Sequence, residues 1–438
     1  MKSSRFNVEI PLNGNKEETL LFNTFTDSRV VINQELKAAM KKADRKHPLT
    51  EEETDYLSQL KDHGIMVNDT VDEDKELEYW FQKFKFDSKI LSITLLTTYD
   101  CNMKCTYCFE EGVIKKQYMS EETSRLIIQW FLRKLKTVRP SVLRVLFYGG
   151  EPMVSKKSRE TMLFIAKSLH EITSRKDMEL DLRMITNGAV LPVEHIKKMV
   201  RYGLKGIKVT LDGDETAHNR TRIFKNGKGT FSAIIKNLTK IKGLVPISIG
   251  CNYDDVNKKS VPALLDRLKA AGFEDAVESV NFKPIFQNLE NAGKAQFDVC
   301  TFSDMDVTDI VQFKRETKGK GFMTREGISL GPCEAARENS YTIDPQGKIY
   351  KCGGFVGREK FKIGDLHEGL NEENTRFMTV DMWRSEDCAG CKYLPLCGGG
   401  CRSSAYVKHQ DFSRFACEKK YFNTVLPELL KEELAQYN

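Results

Sequence analysis

No apolar stretch among the 438 residues approaches the roughly 20 that a membrane span needs, so a helical membrane protein is not expected. The opening segment MKSSRFNVEIPLN lacks the apolar core of a secretory signal, and the expected address is cytoplasmic. An excess of charge is missing too: 68 basic and 62 acidic residues leave +6, too balanced to point to nucleic acid. Internal repeats are absent, as are low-complexity tracts beyond the short run Gly398–Gly400. There is no Gly-rich phosphate loop, no zinc-protease helix motif and no His–Cys catalytic pairing, and the seven histidines are scattered. With 40% hydrophobic and 30% charged residues, what remains is a globular chain long enough for two or three domains.

Cysteine, by contrast, is abundant, with 12 residues. In a reducing compartment such a set reads as ligands rather than disulfides. Cys101, Cys105 and Cys108 form the array CNMKCTYC after an apolar run. At this cysteine content the triplet spacing is expected by chance about 0.01 times per chain. Forty residues on, Phe147-Tyr148 leads into Gly149-Gly150-Glu151-Pro152. Three thiolates can hold three irons of a [4Fe–4S] cube and leave the fourth open to a small chelating ligand. A second array follows: Cys333, 13 residues, Gly347, four residues, Cys352, then Cys388-x2-Cys391-x5-Cys397-x3-Cys401, and finally Cys417. Its four-cysteine portion is expected by chance about 0.0003 times. A zinc ribbon would suit pairs at this spacing, yet would use four cysteines and leave three over.

Hydrophobic periodicity divides the chain into segments 1–75, 76–300 and 301–438. In the first, Phe6–Ile10, Thr19–Phe25 and Arg29–Ile32 read as strands, the first two separated by Asn13-Gly14-Asn15. Helices follow at Gln34–Lys42 and from Thr50, where Thr50-x-x-Glu53 forms a capping box, to about His63. Gly64 closes the second helix and Ile65–Val67 is extended again, an order that looks like a winged-helix module. In the second segment six strands, Ile90–Leu96, Val142–Tyr148, Leu182–Ile185, Ile207–Leu211, Ile247–Cys251 and Val280–Ile285, alternate with helices. These are Glu121–Leu135, Ser158–Ile172, Val193–Tyr202, Phe231–Ile241 and Val261–Ala271. An α/β fold with a parallel sheet, an open barrel, is expected, with its chemistry at the carboxyl ends of the strands. The cysteine loop, YGGEP, Thr186-Asn187-Gly188 and Leu211-Asp212-Gly213 all fall at such ends. The third segment is cysteine- and loop-rich, of the kind that needs metal staples, and ends in a helix at Val425–Gln436.

The pairing of CNMKCTYC with YGGEP resembles the radical S-adenosylmethionine enzymes over roughly residues 88–290. That resemblance implies a partial (β/α)6 barrel in which Cys101, Cys105 and Cys108 bind the catalytic [4Fe–4S] cluster and S-adenosylmethionine chelates its open iron. It implies that Tyr107 lies near the adenine, that Gly149 and Gly150 approach the methionine moiety with Glu151 near its ammonium, that Thr210 and Arg222 serve the carboxylate end, and that Asn187 contacts the ribose. Core packing for Tyr107, a helix cap for Glu151 and a surface position for Arg222 are the bland alternatives; Asp212 is expected to have a structural task. The C-terminal array looks like the SPASM extension, which binds two auxiliary [4Fe–4S] clusters, three clusters in all. By that likeness Cys388, Cys391, Cys397 and Cys417 hold the outer one, and Cys333, Cys352 and Cys401 the inner one. Some relatives complete the inner cluster with a cysteine a few residues before Cys333, where this chain has Ile328-Ser329-Leu330-Gly331-Pro332. The inner cluster then keeps an open iron, able to take a substrate thiolate, or recruits Cys300. Cys251 and Cys300 otherwise read as buried structural thiols.

Proteins with this extension mostly modify peptides and proteins. Sulfatase-maturing enzymes place an acidic residue directly after the second cysteine of the extension; here Gly353 stands there, in Lys351-Cys352-Gly353-Gly354-Phe355. The N-terminal module resembles leader-peptide recognition domains, which bind a precursor as an added strand. The expected function is a ribosomal-peptide (RiPP) maturase, an oxidoreductase that takes a hydrogen from a precursor through the 5′-deoxyadenosyl radical and closes a side-chain cross-link, most simply a thioether. Its expected partners are a precursor with its leader and an electron donor such as flavodoxin or ferredoxin, with no nucleic acid and no membrane. The alternatives are a sulfatase-maturing or other protein-modifying oxidoreductase, a peptide epimerase and, in another class, an iron–sulfur electron carrier or scaffold.

Overall fold

The computed structural model describes residues 1–12, 17–289, 301, 304, 308–324 and 331–435. The expected Asn13-Gly14-Asn15 turn, Cys300 and Gln436 lie outside the described residues. At the N-terminus β1 (Lys2–Ser3) pairs with β5 (Met66–Val67), while β2 (Asn7–Pro11), β3 (Thr19–Asn23) and β4 (Arg29–Ile32) form an antiparallel sheet with β3 in the middle. Helix α1 (Gln34–Asp44) is capped by Asn33. The reciprocal Thr50–Glu53 box starts α2 (Glu51–Asp62), and Gly64 follows its end with φ +70°.

Alternation along β3 buries both of its faces. Leu21 packs with Ile32 onto α1 and α2 through Ala39, Met40, Leu57 and Leu60. Leu20 and Phe22, with Val8 and Ile10, pack against Tyr393, Leu396, Phe422 and Leu426 of the C-terminal segment. Residues 1–75 are therefore fastened to the cysteine-rich end of the chain. Helix α3 (Glu73–Phe86), capped by Asp72, adds to the joint: Leu77 and Phe81, one turn apart, pack with Phe6, Met382 and Leu394. Sequence periodicity did not mark this helix because its apolar residues divide between two neighbours.

The second segment is a parallel sheet in the order β13-β12-β10-β9-β8-β6. Its strands are β6 (Ile90–Leu96), β8 (Val142–Tyr148), β9 (Glu179–Thr186), β10 (Leu204–Thr210), β12 (Ile247–Tyr253) and β13 (Val277–Pro284). Two short strands, β7 (Met103–Cys105) and β11 (Arg222–Phe224), pair with each other outside it. The crossover helices are α4 (Glu121–Val138), α5 (Lys156–Ser174), α6 (Val193–Arg201), α7 (Glu215–Thr221), α8 (Phe231–Ile241) and α9 (Val261–Ala270), and α10 (Thr308–Gly319) follows β13. The sheet is open. Its β6 edge is extended by β14 (Ser340–Ile343), parallel to β6, and then by β15 (Lys348–Tyr350), β16 (Gly364–Asp365) and β17 (Gly369–Leu370), antiparallel in turn. The C-terminal segment thus grows directly from the barrel's first strand. Strands of two to four residues show no usable period, which hid this extension from the sequence. Helices α11 (Glu372–Met378), α12 (Leu394–Cys397), α13 (Arg402–His409) and α14 (Lys419–Leu434) complete the chain. Among the described residues no helix is long and apolar enough to cross a membrane.

Candidate active site

The loop leaving β6 carries the three cysteines, and β8 ends against it. Gly149 and Gly150 have φ +83° and +48°, and a Cβ at either would collide, with the Leu96 side chain and the Asp100 carbonyl respectively. The Glu151 N–H donates to the Asp100 carbonyl at 2.8 Å. The close approach these glycines permit is therefore between the strand end and the cysteine loop. Glu151 is fully buried, and its carboxylate accepts from the Thr186 hydroxyl (2.7 Å), the Asn187 N–H (2.7 Å) and the Met153 N–H (2.9 Å). It ties the end of β8 to the end of β9.

A cavity of about 440 Å³ opens at these strand ends. Of the residues expected to serve the cluster and the cofactor, Cys101, Cys105, Cys108, Tyr107, Gly150, Asn187, Thr210 and Arg222 line it. Gly149 and Glu151 stand behind the wall. The pairing of β7 with β11 sets Arg222 opposite Cys105, which explains how residues more than a hundred positions apart meet. The Arg222 guanidinium donates to the Tyr107 hydroxyl at 2.9 Å, and that hydroxyl also bonds the Asp212 carboxylate. Asn252 joins them, its backbone N–H on Asp212 at 2.8 Å and its side chain on Tyr107 at 3.2 Å. Asp212 is wholly buried; burial raises its pKa while Arg222, with Nε at 3.9 Å, holds it down. The turn at Asp212 thus doubles as the anchor of the cavity floor. Asn187 donates to the Asn102 side chain at 2.8 Å, beside Cys101.

Several lining groups carried no sequence signal. Glu110 accepts the Gly150 N–H at 2.7 Å, and burial pushes its pKa up to about 7. Phe109 stacks on Tyr148 with ring centres 6.0 Å apart. Lys283 to Asn288, at and beyond the end of β13, form another wall. The opposite wall is C-terminal: Cys352, Gly353, Gly354, Cys401, Ser403 and Ser404. Fold closure alone brings these together.

The donor set suits an iron–sulfur group. Burial pushes the Cys101 and Cys108 thiols up to about 12, with the charges of Glu151 and Glu110 adding to it, and raises Cys105 against the pull of Arg222. Three soft donors thus share one cavity as thiols, which become thiolates only on binding a metal. Among the described residues no three His, Cys, Asp or Glu side chains converge as ligands of a single ion do. A second cavity, of about 200 Å³, is lined by Cys388, Cys391, Cys397 and Cys417 with Tyr393, Phe415 and Phe422. Cys333, Cys352 and Cys401 lie near one another, with Cys333 and Cys401 exposed, and burial raises Cys352. Cys251 is buried in the barrel core.

The Radical SAM superfamily profile matches residues 95–268. The chain carries a radical SAM domain. A cysteine-type anaerobic sulfatase-maturating enzyme of Clostridium perfringens is 22% identical, over 75% of this chain and 94% of that protein. The radical SAM cyclopropyl synthase TigE of Paramaledivibacter caminithermalis is 21% identical, over 76% of this chain and 70% of its own. Among solved structures, the maturating enzyme anSMEcpe with bound AdoMet is similar at TM-score 0.63 and 20% identity, covering 79% of this chain and 96% of its own. Streptococcus suis SuiB bound to precursor peptide SuiA is similar at TM-score 0.55 and 13% identity, covering 94% of this chain and 98% of its own. These likenesses establish the fold. The radical SAM domain implies a [4Fe–4S] cluster and S-adenosylmethionine, and the relatives include enzymes that mature proteins and peptides.

Proposed function

We propose that the chain is a peptide maturase that joins side chains of a ribosomally made precursor, most simply through a thioether. One observation carries the reading: a single cavity is walled on one side by Cys101, Cys105 and Cys108 and on the other by Cys352 and Cys401. On this reading Cys101, Cys105 and Cys108 hold the catalytic cluster, and Cys333, Cys352, Cys401 and Cys388, Cys391, Cys397, Cys417 hold two further ones. When bound, the cluster and S-adenosylmethionine supply a 5′-deoxyadenosyl radical able to take hydrogen from an unactivated C–H bond. Tyr107, held by hydrogen bonds with Asp212, Arg222 and Asn252, would orient the ligand beside it. Asn187, Thr210 and Gly150 present polar edges on the same side. Forming a C–S bond from a C–H and an S–H removes two electrons from the peptide. Hydrogen abstraction accounts for one; the other needs an acceptor close by, the place the C-terminal cysteines occupy.

Two features favour a precursor peptide over a folded sulfatase as substrate. Gly353 leaves open space where the sulfatase maturases carry an acidic group. The part of this chain outside the SuiB match is shorter than residues 1–75, whereas the part outside the anSMEcpe match is longer. The N-terminal sheet ends in the edge strand β4, to which a leader can add.

Reconstitution tests the reading. Anaerobically loaded protein should hold about 12 irons, as three four-iron clusters require. With S-adenosylmethionine and a low-potential reductant it should release 5′-deoxyadenosine, and the Cys101→Ala, Cys105→Ala, Cys108→Ala variant should not. A precursor from a neighbouring reading frame should lose two hydrogens by mass. Zinc in place of iron at Cys388–Cys401 would exclude the C-terminal assignment, and unaltered precursor in the presence of 5′-deoxyadenosine formation would exclude the cross-linking.

A further inference from the structure

Arg402 opens α13 directly after Cys401 and is only 8% exposed. All five of its N–H groups are engaged. Nε donates to the Gly400 carbonyl at 3.2 Å; one terminal nitrogen donates to the carbonyls of Phe412 (3.1 Å) and Arg414 (2.9 Å). The other donates to Gly399 (2.5 Å) and Gly400 (2.8 Å). Every acceptor is a neutral peptide oxygen, and among the described residues no carboxylate pairs with the side chain. Carbonyl dipoles satisfy its hydrogens but leave a full positive charge in the interior, which is costly without an anion.

Arg402 directly follows Cys401 and lines one cavity with Cys333, and Gly399, to which it is clamped, lines the cavity of Cys388 and Cys397. Two of these cysteines belong to each proposed C-terminal ligand set. Cysteine thiols are neutral, but metal-bound cysteines are thiolates. The missing anion is therefore present only when metal is bound.

We infer that Arg402 is the shared counter-cation of the two C-terminal iron–sulfur sites and sets the reduction potential of both. The inference rests on the reading of those sites given above. A reduced cluster carries one more negative charge than an oxidised one, so a fixed buried cation favours reduction. A single cation between two sites raises both potentials together.

The full chain with Cys101, Cys105 and Cys108 changed to alanine retains only the two C-terminal sites, and potentiometric titration followed by electron paramagnetic resonance reads them. Arg402→Met should lower both midpoint potentials with iron content unchanged, and Arg402→Lys, which keeps the charge but not the five bonds, should restore most of the shift. If Arg402→Met fails to keep iron, retention in Arg402→Lys supports the counter-charge. Equal loss in both variants shows a structural clamp and overturns the inference. Unchanged potentials, or a shift at one site alone, overturn it too. Absence of iron–sulfur signals in the parent protein would instead refute the underlying assignment of the sites.

Discussion

Glu151 receives three hydrogen bonds from the ends of β8 and β9, so Glu151→Ala would strand three buried donors. We expect a loss of about 3 kcal/mol or more, read as a lowered thermal midpoint of the metal-free protein. An unchanged midpoint with loss of S-adenosylmethionine binding alone would return Glu151 to the role of direct ligand. His218 offers a pH test. Its ring accepts the Asp212 N–H at 3.2 Å and meets Thr230 at 2.9 Å, and burial, helped by the charge of Arg222, lowers its pKa from 6.5 to about 3. The folded protein then binds fewer protons here than the unfolded chain between those values, so stability is full above about 6.5 and falls as the pH drops below it. His218→Asn should show a shallower loss of thermal midpoint over that acid range. The residues that sequence motifs singled out were those whose type is fixed by chemistry, such as Tyr107 and Arg222. Asp212 was legible as a turn, but its place between them was not, because that depends on β7 meeting β11.

Among the elements, β4 is an edge strand of the N-terminal sheet whose outward donors can pair with an added strand. Asn23 donates to Ser28 at 2.9 Å, and the antiparallel register pairs Leu21 with Val30 and Leu20 with Val31. Hydrogen-bonded and open pairs alternate, so the Val31 N–H points away from β3. Proline there removes an outward donor without breaking the existing ladder. Val31→Pro should weaken precursor binding about tenfold, roughly the 1.4 kcal/mol of one good hydrogen bond, and leave 5′-deoxyadenosine formation intact. Undiminished binding, measured by fluorescence anisotropy of a labelled precursor, would argue against addition at this edge. Helix α2, with its capping box, and α8, with its apolar stripe, were readable to within a few residues. Helix α3 was not, since Trp80 and Phe81 serve different neighbours in one aromatic joint.

At the scale of the whole molecule, the two ends of the chain are packed together: Val8, Ile10, Leu20 and Phe22 cover Tyr393, Leu396 and Phe422, and Tyr393 and Phe422 also line the cavity of Cys388, Cys391, Cys397 and Cys417. Removing residues 1–75 should therefore lower iron retention by about four of about 12 atoms, and not merely weaken precursor binding. Full iron content in the truncated protein, counted after desalting, would show that the outer site stands without its cover. The sequence by itself determined the chemistry: cysteine spacing, GGEP and the alternation of strands with helices are local patterns, written in contiguous residues. Only the tertiary structure decided which groups share a space. That Cys352 and Cys401 share one cavity with Cys101, that Glu151 braces rather than lines it, and that Arg402 is clamped by carbonyls beside Cys401 are consequences of long-range packing. Such contacts depend on how the barrel, its sheet extension and the N-terminal sheet bury their apolar faces against one another, and burial of that kind leaves no signature at any fixed spacing along the chain.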